Sequence, residues 1–183
     1  FDALFTTTTE YKKLSHALSG KGACALFGLP ASGRAQVYAA LCRQLDKPLC
    51  IVTPGEAEAT RFAADLNTLG IPAAVFPARD YVLRPIEGTA REYEYRRLAV
   101  LGELVGGRLR AVAVPAEALT QFTTPKEDFC ANTRTLHAGD TLLRDDLLAA
   151  LFGAGYTRRA QVDGPGQFSV RGDIVDIFAP NQK

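Results

Sequence analysis

The chain has no methionine, only two histidines and no C-x-x-C pair, and each of these absences narrows what it can be. It begins at Phe1 without a methionine anywhere, so it reads as an excerpt of a longer protein, and the missing secretory leader says little. His16 and His137 stand far apart without companion ligands, which fits surface or helix-end histidines and no metal site. Cys24, Cys42, Cys50 and Cys130 are too sparse for a disulfide framework, and a cytoplasmic setting follows. Cys24 and Cys50 lie in apolar runs, where a reduced cysteine acts as a small hydrophobe. No apolar stretch approaches the ~20 residues of a membrane span. A net charge of +1 gives no general attraction to DNA or to an anionic membrane, which argues against a free-standing nucleic-acid binder. What remains, 47% hydrophobic and 22% charged residues, is the balance of a folded domain with a real core.

The most informative local run is Gly28-Leu29-Pro30-Ala31-Ser32-Gly33-Arg34-Ala35. A phosphate-binding loop reads G-x-x-x-x-G-K-[S/T]: backbone N–H groups close on the phosphates, the lysine reaches their oxygens and the hydroxyl holds Mg²⁺. Here Gly28 and Gly33 keep the spacing, while Arg34 replaces the lysine and Ala35 the hydroxyl. Losing the hydroxyl removes a ligand from the metal that neutralises charge in phosphoryl transfer. The pattern therefore reads as a vestigial nucleotide loop. About one such glycine pair is expected by chance in this composition, so its setting must carry the reading. Ala23-Cys24-Ala25-Leu26-Phe27 suits a buried strand over 23–28, and Val37, Ala40, Leu41 and Leu45 predict a helix over 34–46.

Along the chain, Thr7-Thr8-Thr9 offers caps for a first helix ending at Gly20. Strands at 49–53, 73–76 and 110–114 alternate with helices at 56–69 and about 90–105, the last with Leu98, Leu101 and Val105 on its buried stripe. Pro115 opens a short helix through Leu119. Strands alternating with helices imply a parallel sheet in an α/β domain. After Thr123-Thr124-Pro125 the texture changes to α+β. A short strand at 133–136, a helix at 142–152 capped from Gly139-Asp140-Thr141, a hairpin of 156–162 with 167–171 around Gly164-Pro165-Gly166, and a strand at 174–178 are expected. The organisation is then 1–122 as one domain, 123–178 as a small α+β domain with antiparallel strands, and 179–183 as the start of a following segment.

The run Gly166-Gln167-Phe168-Ser169-Val170-Arg171-Gly172-Asp173-Ile174-Val175-Asp176-Ile177-Phe178-Ala179-Pro180 closely resembles a segment shared by the excision-repair protein UvrB and the bacterial transcription-repair coupling factor (Mfd). Val75-Phe76-Pro77, Arg96-Arg97-Leu98 and Leu147 through Gly155-Tyr156 fall in the same order. UvrB has an intact phosphate loop and an aromatic DNA-clamping hairpin. This chain has Arg34 and Ala35 where the loop requires Lys and Ser/Thr, and only Tyr81 as an aromatic in the 77–88 connection. The resemblance is thus to the UvrB-like amino-terminal module of the coupling factor. It implies a RecA-like domain piece with a degenerate P-loop, followed by the domain that grips UvrA.

That resemblance places UvrA-contacting arginines at Arg158 and Arg171. Hairpin geometry centred on Pro165 instead sets Arg159 opposite Arg171, so both Arg158 and Arg159 stay open. At Ser169 UvrB has a further contacting arginine, and the chain departs there. Alternation along 168–171 turns Phe168 and Val170 inward and Arg171 outward. The function implied is a UvrA-recruiting interaction module in nucleotide excision repair, without ATPase activity or cofactor of its own. The resemblance reserves ATP and Mg²⁺ for the motor domains of the longer protein, an ATP-driven DNA translocase, together with its contacts to RNA polymerase and double-stranded DNA. The alternatives are a nucleotide-binding ATPase domain, which lacks a D-E pair here, and a UvrB-like damaged-DNA-binding module. Arg79, Arg84, Arg91, Arg96 and Arg97 are offset by Asp80, Glu87, Glu92 and Glu94, which reads as a salt-bridged, solvated face.

Overall fold

The computed structural model describes residues 6–20, 23–79 and 89–180. The chain divides into two compact units, Phe1–Asp80 with Glu103–Gln121, and Tyr81–Gly102 with Phe122–Lys183.

In the first unit three parallel strands, β1 (Leu49–Thr53), β2 (Ala73–Val75) and β3 (Ala111–Pro115), lie in the order β1-β3-β2. β3 occupies the centre because its run Ala-Val-Ala-Val-Pro is apolar on both faces, and all five residues are buried. Leu49 to Thr53 pair with Ala111 to Pro115, and Ala73 to Val75 with Ala111 to Ala113. Helix α3 (Glu56–Thr68) lays Ala59, Phe62, Ala63 and Leu66 on this sheet at the i, i+3, i+4, i+7 spacing of a single helix face. Helix α2 (Ala31–Gln44) has two apolar faces. Ala35, Ala39 and Cys42 join the sheet core, while Val37, Ala40 and Leu41 meet Tyr11 of helix α1 (Thr9–Ser19). Thr8 caps α1 through its hydroxyl, which accepts from Tyr11 N at 3.3 Å. The guanidinium of Arg110 donates to the Cys42 carbonyl at 2.6 Å and to that of Leu45, closing the end of α2. No helix among the described residues is long and apolar enough to cross a membrane.

The expected strand at 23–28 does not form. Residues 23–27 lie outside any strand and are exposed, Phe27 by 87%. β3 is paired by β1 and β2, and the run at 23–27 adds to the outer edge of neither. Cys24 is exposed with this segment, and Cys50 stands in β1 but is also exposed, so neither fills the core. Cys42 does: burial pushes its thiol pKa up.

The second unit holds most of helix α4 (Thr89–Val105), helices α6 (Lys126–Ala131) and α7 (Arg144–Gly153), and a sheet of β4 (Thr157–Arg158), β5 (Gln167–Arg171) and β6 (Ile174–Phe178). The short α5 (Ala116–Leu119) belongs to the first unit. On α4 the most buried described side chains are Arg97 and Val100, while Leu98 and Leu101 are half-buried and Val105 is exposed, so the expected stripe is rotated. Arg97 is not part of a solvated face. It donates to Thr123 Oγ1 at 2.8 Å and to the Phe122 carbonyl at 3.5 Å.

The expected strand at 133–136 is absent, and α6 accounts for it. Glu127 and Asp128 favour the first turn of that helix, and its end draws in the following residues. Asn132 Nδ2 donates to the Asp128 carbonyl at 2.8 Å and Thr133 Oγ1 to that of Phe129 at 2.7 Å, which leaves the chain at 133 turned back on the helix. Asp140 accepts from His137 N at 2.8 Å in a turn of its own, so α7 starts at Arg144 with Leu143 at the N-cap and no side-chain cap.

The hairpin around Pro165 is also corrected. β4 runs parallel to β5, Thr157 against Gln167 and Arg158 against Phe168, so the sheet is mixed. The hairpin in this unit is β5-β6, whose antiparallel register sets Arg171 against Ile174 and leaves only Gly172-Asp173 as the turn. Gly172 has φ +60° at the first central position and Asp173 has no positive φ, the requirement of a type II′ turn. A helix leads directly into β4: Gly155, at φ +81°, ends α7, and Tyr156 N donates to the Leu151 carbonyl at 3.0 Å.

Candidate functional site

The β4-β5-β6 sheet has one face packed on α7 and one polar face that is buried at its centre and open at its ends. Phe168 is fully buried and meets Phe152 of α7 edge-to-face at 5.1 Å, so that helix covers the inner side. Alternation then places Gln167, Ser169 and Arg171 on the opposite face, across from Phe178, Asp176 and Ile174 of β6. Arg171 is exposed, as the alternation of the sequence requires. Ile174 is 64% and Phe178 38% exposed, so this polar face also carries two apolar side chains at its ends.

One polar cluster gives the face its order. Ser169, 1% exposed, donates from Oγ to Asp176 Oδ2 at 3.1 Å, and Arg171 Nη2 donates to the same oxygen at 2.5 Å. The hydrogen bond from Arg171, then that from Ser169, hold the Asp176 carboxyl below its ordinary pKa. At one end of this sheet Arg144 of α7 donates to the Gly172 carbonyl at 3.3 Å, tying the helix start to the β5-β6 turn.

Arg158 and Arg159 are both exposed on or just beyond β4. The parallel register sets Arg158 beside Phe168, on the level of the closed face. Arg159 N donates to the Phe168 carbonyl at 2.8 Å, so the ladder continues one residue past β4. Alternation then gives Arg159 the face of Ser169 and Arg171. Ser169 is engaged inside the fold, not offered as a contact. The residue that sequence reasoning passed over is Asp176. Its signal is the Arg-Gly-Asp-x-x-Asp spacing, which a two-residue turn folds into a cross-strand diagonal.

The other candidate site looks different from a nucleotide cradle. α2 begins at Ala31, so Gly33 lies inside the helix, and a Cβ there would stand 3.3 Å from Pro30. The N–H of Arg34 is committed to the Pro30 carbonyl at 3.1 Å, and Arg34 itself is exposed. Ala35 is 3% exposed and packs into the sheet core, so the position of the Mg²⁺-binding hydroxyl faces the interior. Gly28 stands in an exposed stretch before the helix. Among the described residues no group of three His, Cys, Asp or Glu is placed to hold a metal. Tyr81, Arg84, Asp80 and Glu87 of the 77–88 connection lie outside the described residues.

Comparison with known proteins falls on the same region. Residues 135–183, which contain this sheet, match the family model of the UvrB interaction domain. The chain is 29% identical over 155 residues to the transcription-repair-coupling factor of Bacillus subtilis, covering 84% of this chain and 13% of that protein. It is 36% identical over 159 residues to the factor of Mycobacterium bovis, covering 82% of this chain and again 13% of the relative. The chain thus spans about an eighth of the length of these relatives, and the resemblance to a UvrB-like module of coupling factors read from its sequence is borne out.

Proposed function

From its similarity to transcription-repair-coupling factors over most of its length, we propose that this chain is the module by which such a factor recruits UvrA in nucleotide excision repair. The observation that carries the reading is a coincidence of position. The segment matching the UvrB interaction domain folds into a sheet whose polar face presents Arg171, with Arg159 level with Ser169 beside it. An arginine fork flanked by exposed apolar side chains is suited to a partner that offers carboxylates within an apolar rim.

The chain hydrolyses no ATP in this reading. Arg34 and Ala35 supply neither the lysine nor the metal-binding hydroxyl, and the inward packing of Ala35 supports this. The translocase activity, with its ATP and Mg²⁺, and the contacts to RNA polymerase and duplex DNA, belong to other parts of the longer protein.

Titration of purified UvrA against the chain tests the reading. Wild type binds, Arg171→Ala loses about 2–4 kcal/mol of binding, and Arg159→Ala and Arg158→Ala lose less. Wild-type affinity in the Arg171→Ala protein, or no binding at all, sinks it. ATP turnover by the isolated chain sinks the second half.

A further inference from the structure

We propose that Asp176 is a positioning residue for partner binding: with Ser169 it clamps the guanidinium of Arg171 by one edge and presents the remaining donors to a carboxylate of the partner. The inference rests on the reading that this face meets UvrA. Three observations support it. Asp176 and Arg171 are diagonal neighbours across β5-β6, the reach at which long side chains interact on a sheet. Both described bonds to the carboxylate converge on Oδ2, one from Arg171 and one from the buried hydroxyl of Ser169. The serine is the rigid member, since it is 1% exposed, and it holds the aspartate from inside the fold. The arginine side chain meanwhile stays 69% exposed.

A guanidinium has five N–H donors in a fixed planar fork, so Nη2 can serve Asp176 while other N–H groups stay available to a second acceptor. Without the clamp, an exposed arginine samples many rotamers and must be ordered as the partner arrives. Asp176 performs that ordering beforehand. It also disfavours partners that approach with a single misplaced acid, because the carboxylate already in place repels them. The ligand chemistry is therefore a carboxylate that approaches the guanidinium from the side away from Asp176.

Two measurements test this on the full chain. In ¹⁵N NMR of the wild type, the Arg171 side-chain N–H groups should show slowed guanidinium rotation, and Asp176→Ala should abolish it. Free rotation in the wild type overturns the clamp whatever UvrA does. In UvrA titrations, Asp176→Ala should weaken binding about five- to tenfold, Ser169→Ala about twofold, and Asp176→Glu should recover part of the loss. In an Arg171→Ala background, Asp176→Ala should change affinity less than about twofold, which a merely structural role would not produce. If Asp176→Ala binds as well as wild type, or more tightly, Asp176 does not position the arginine, and the UvrA reading stands without it. If wild type fails to bind UvrA, the reading falls and this inference with it. Ser169→Ala keeps the test open should Asp176→Ala misfold.

Discussion

The central strands of the two sheets bury different chemistry. In the first unit the central strand β3 hides all five of its residues, and α3 adds Leu66 and Ala59 at 0% exposure to one side. In the second unit β5 buries Phe168 against α7 and Ser169 in a polar cluster, while Arg171 at its end is exposed. A central strand buried on both faces is specified by volume, although Cys50 and Val52 leave one face of the neighbouring β1 exposed. A strand whose outer end is open has residues there that are free to be chosen for a partner.

The sharpest test of that contrast sets core against core. Phe168→Ala should cost about 3–5 kcal/mol of unfolding free energy and Leu66→Ala about 2–5 kcal/mol, measured by denaturant titration. Amide exchange should localise the first loss to the β4-β5-β6 sheet. If Phe168→Ala costs less than 1 kcal/mol, the closed face of that sheet is not a core.

A smaller effect should come from the start of β5. Gly166 has φ +73°, and a Cβ there would collide with the hydroxyl of Tyr95 on α4. Gly166→Ala should destabilise by about 1–3 kcal/mol through backbone strain and overlap. Adding Tyr95→Phe should return only part of the cost of the overlap, since the ring Cζ would still lie 2.9 Å away. Equal stability of Gly166→Ala and wild type would show that α4 does not press on this strand.

The smallest effect concerns acid. The folded-state pKa of Asp176 lies below its unfolded value, so its contribution to stability is present above the ordinary carboxylate range. That contribution is lost as pH falls through the lowered value. Asp176→Asn should therefore lessen the acid dependence of the melting temperature below about pH 4 and leave it unchanged near neutrality. A variant with an unaltered acid limb would show that Arg171 and Ser169 do not hold the ionised form.

How much was legible follows the same division. Between 49 and 119 the periodicity and the Gly/Pro punctuation placed helices and strands within a residue or two, because there each element's pattern is local. In β5, alternation alone sent Phe168 in and Arg171 out. The failures are non-local. Nothing in 156–171 distinguishes a hairpin around Pro165 from the parallel pairing of Thr157-Arg158 with β5, and the type II′ turn at Gly172-Asp173 was hidden inside a recognised motif. Because register decides which of Arg158 and Arg159 shares a face with Arg171, that choice could not be made from spacing. The apolar run at 23–27 is compatible with a strand, but nothing within it shows whether it joins an edge of the sheet. The Ser169–Asp176–Arg171 cluster exists only once the turn is known.

The abrupt passage from α7 through Gly155 into β4 has a practical consequence. Ala154-Gly155-Tyr156 is the whole joint, so a spliced epitope or a circular permutation there would uncouple the helix carrying Phe152 from the sheet it covers. Residues 133–141 are exposed and lie outside helix and strand. A fluorophore or surface-immobilisation handle placed in that stretch would leave the scaffold of the arginine-bearing face intact.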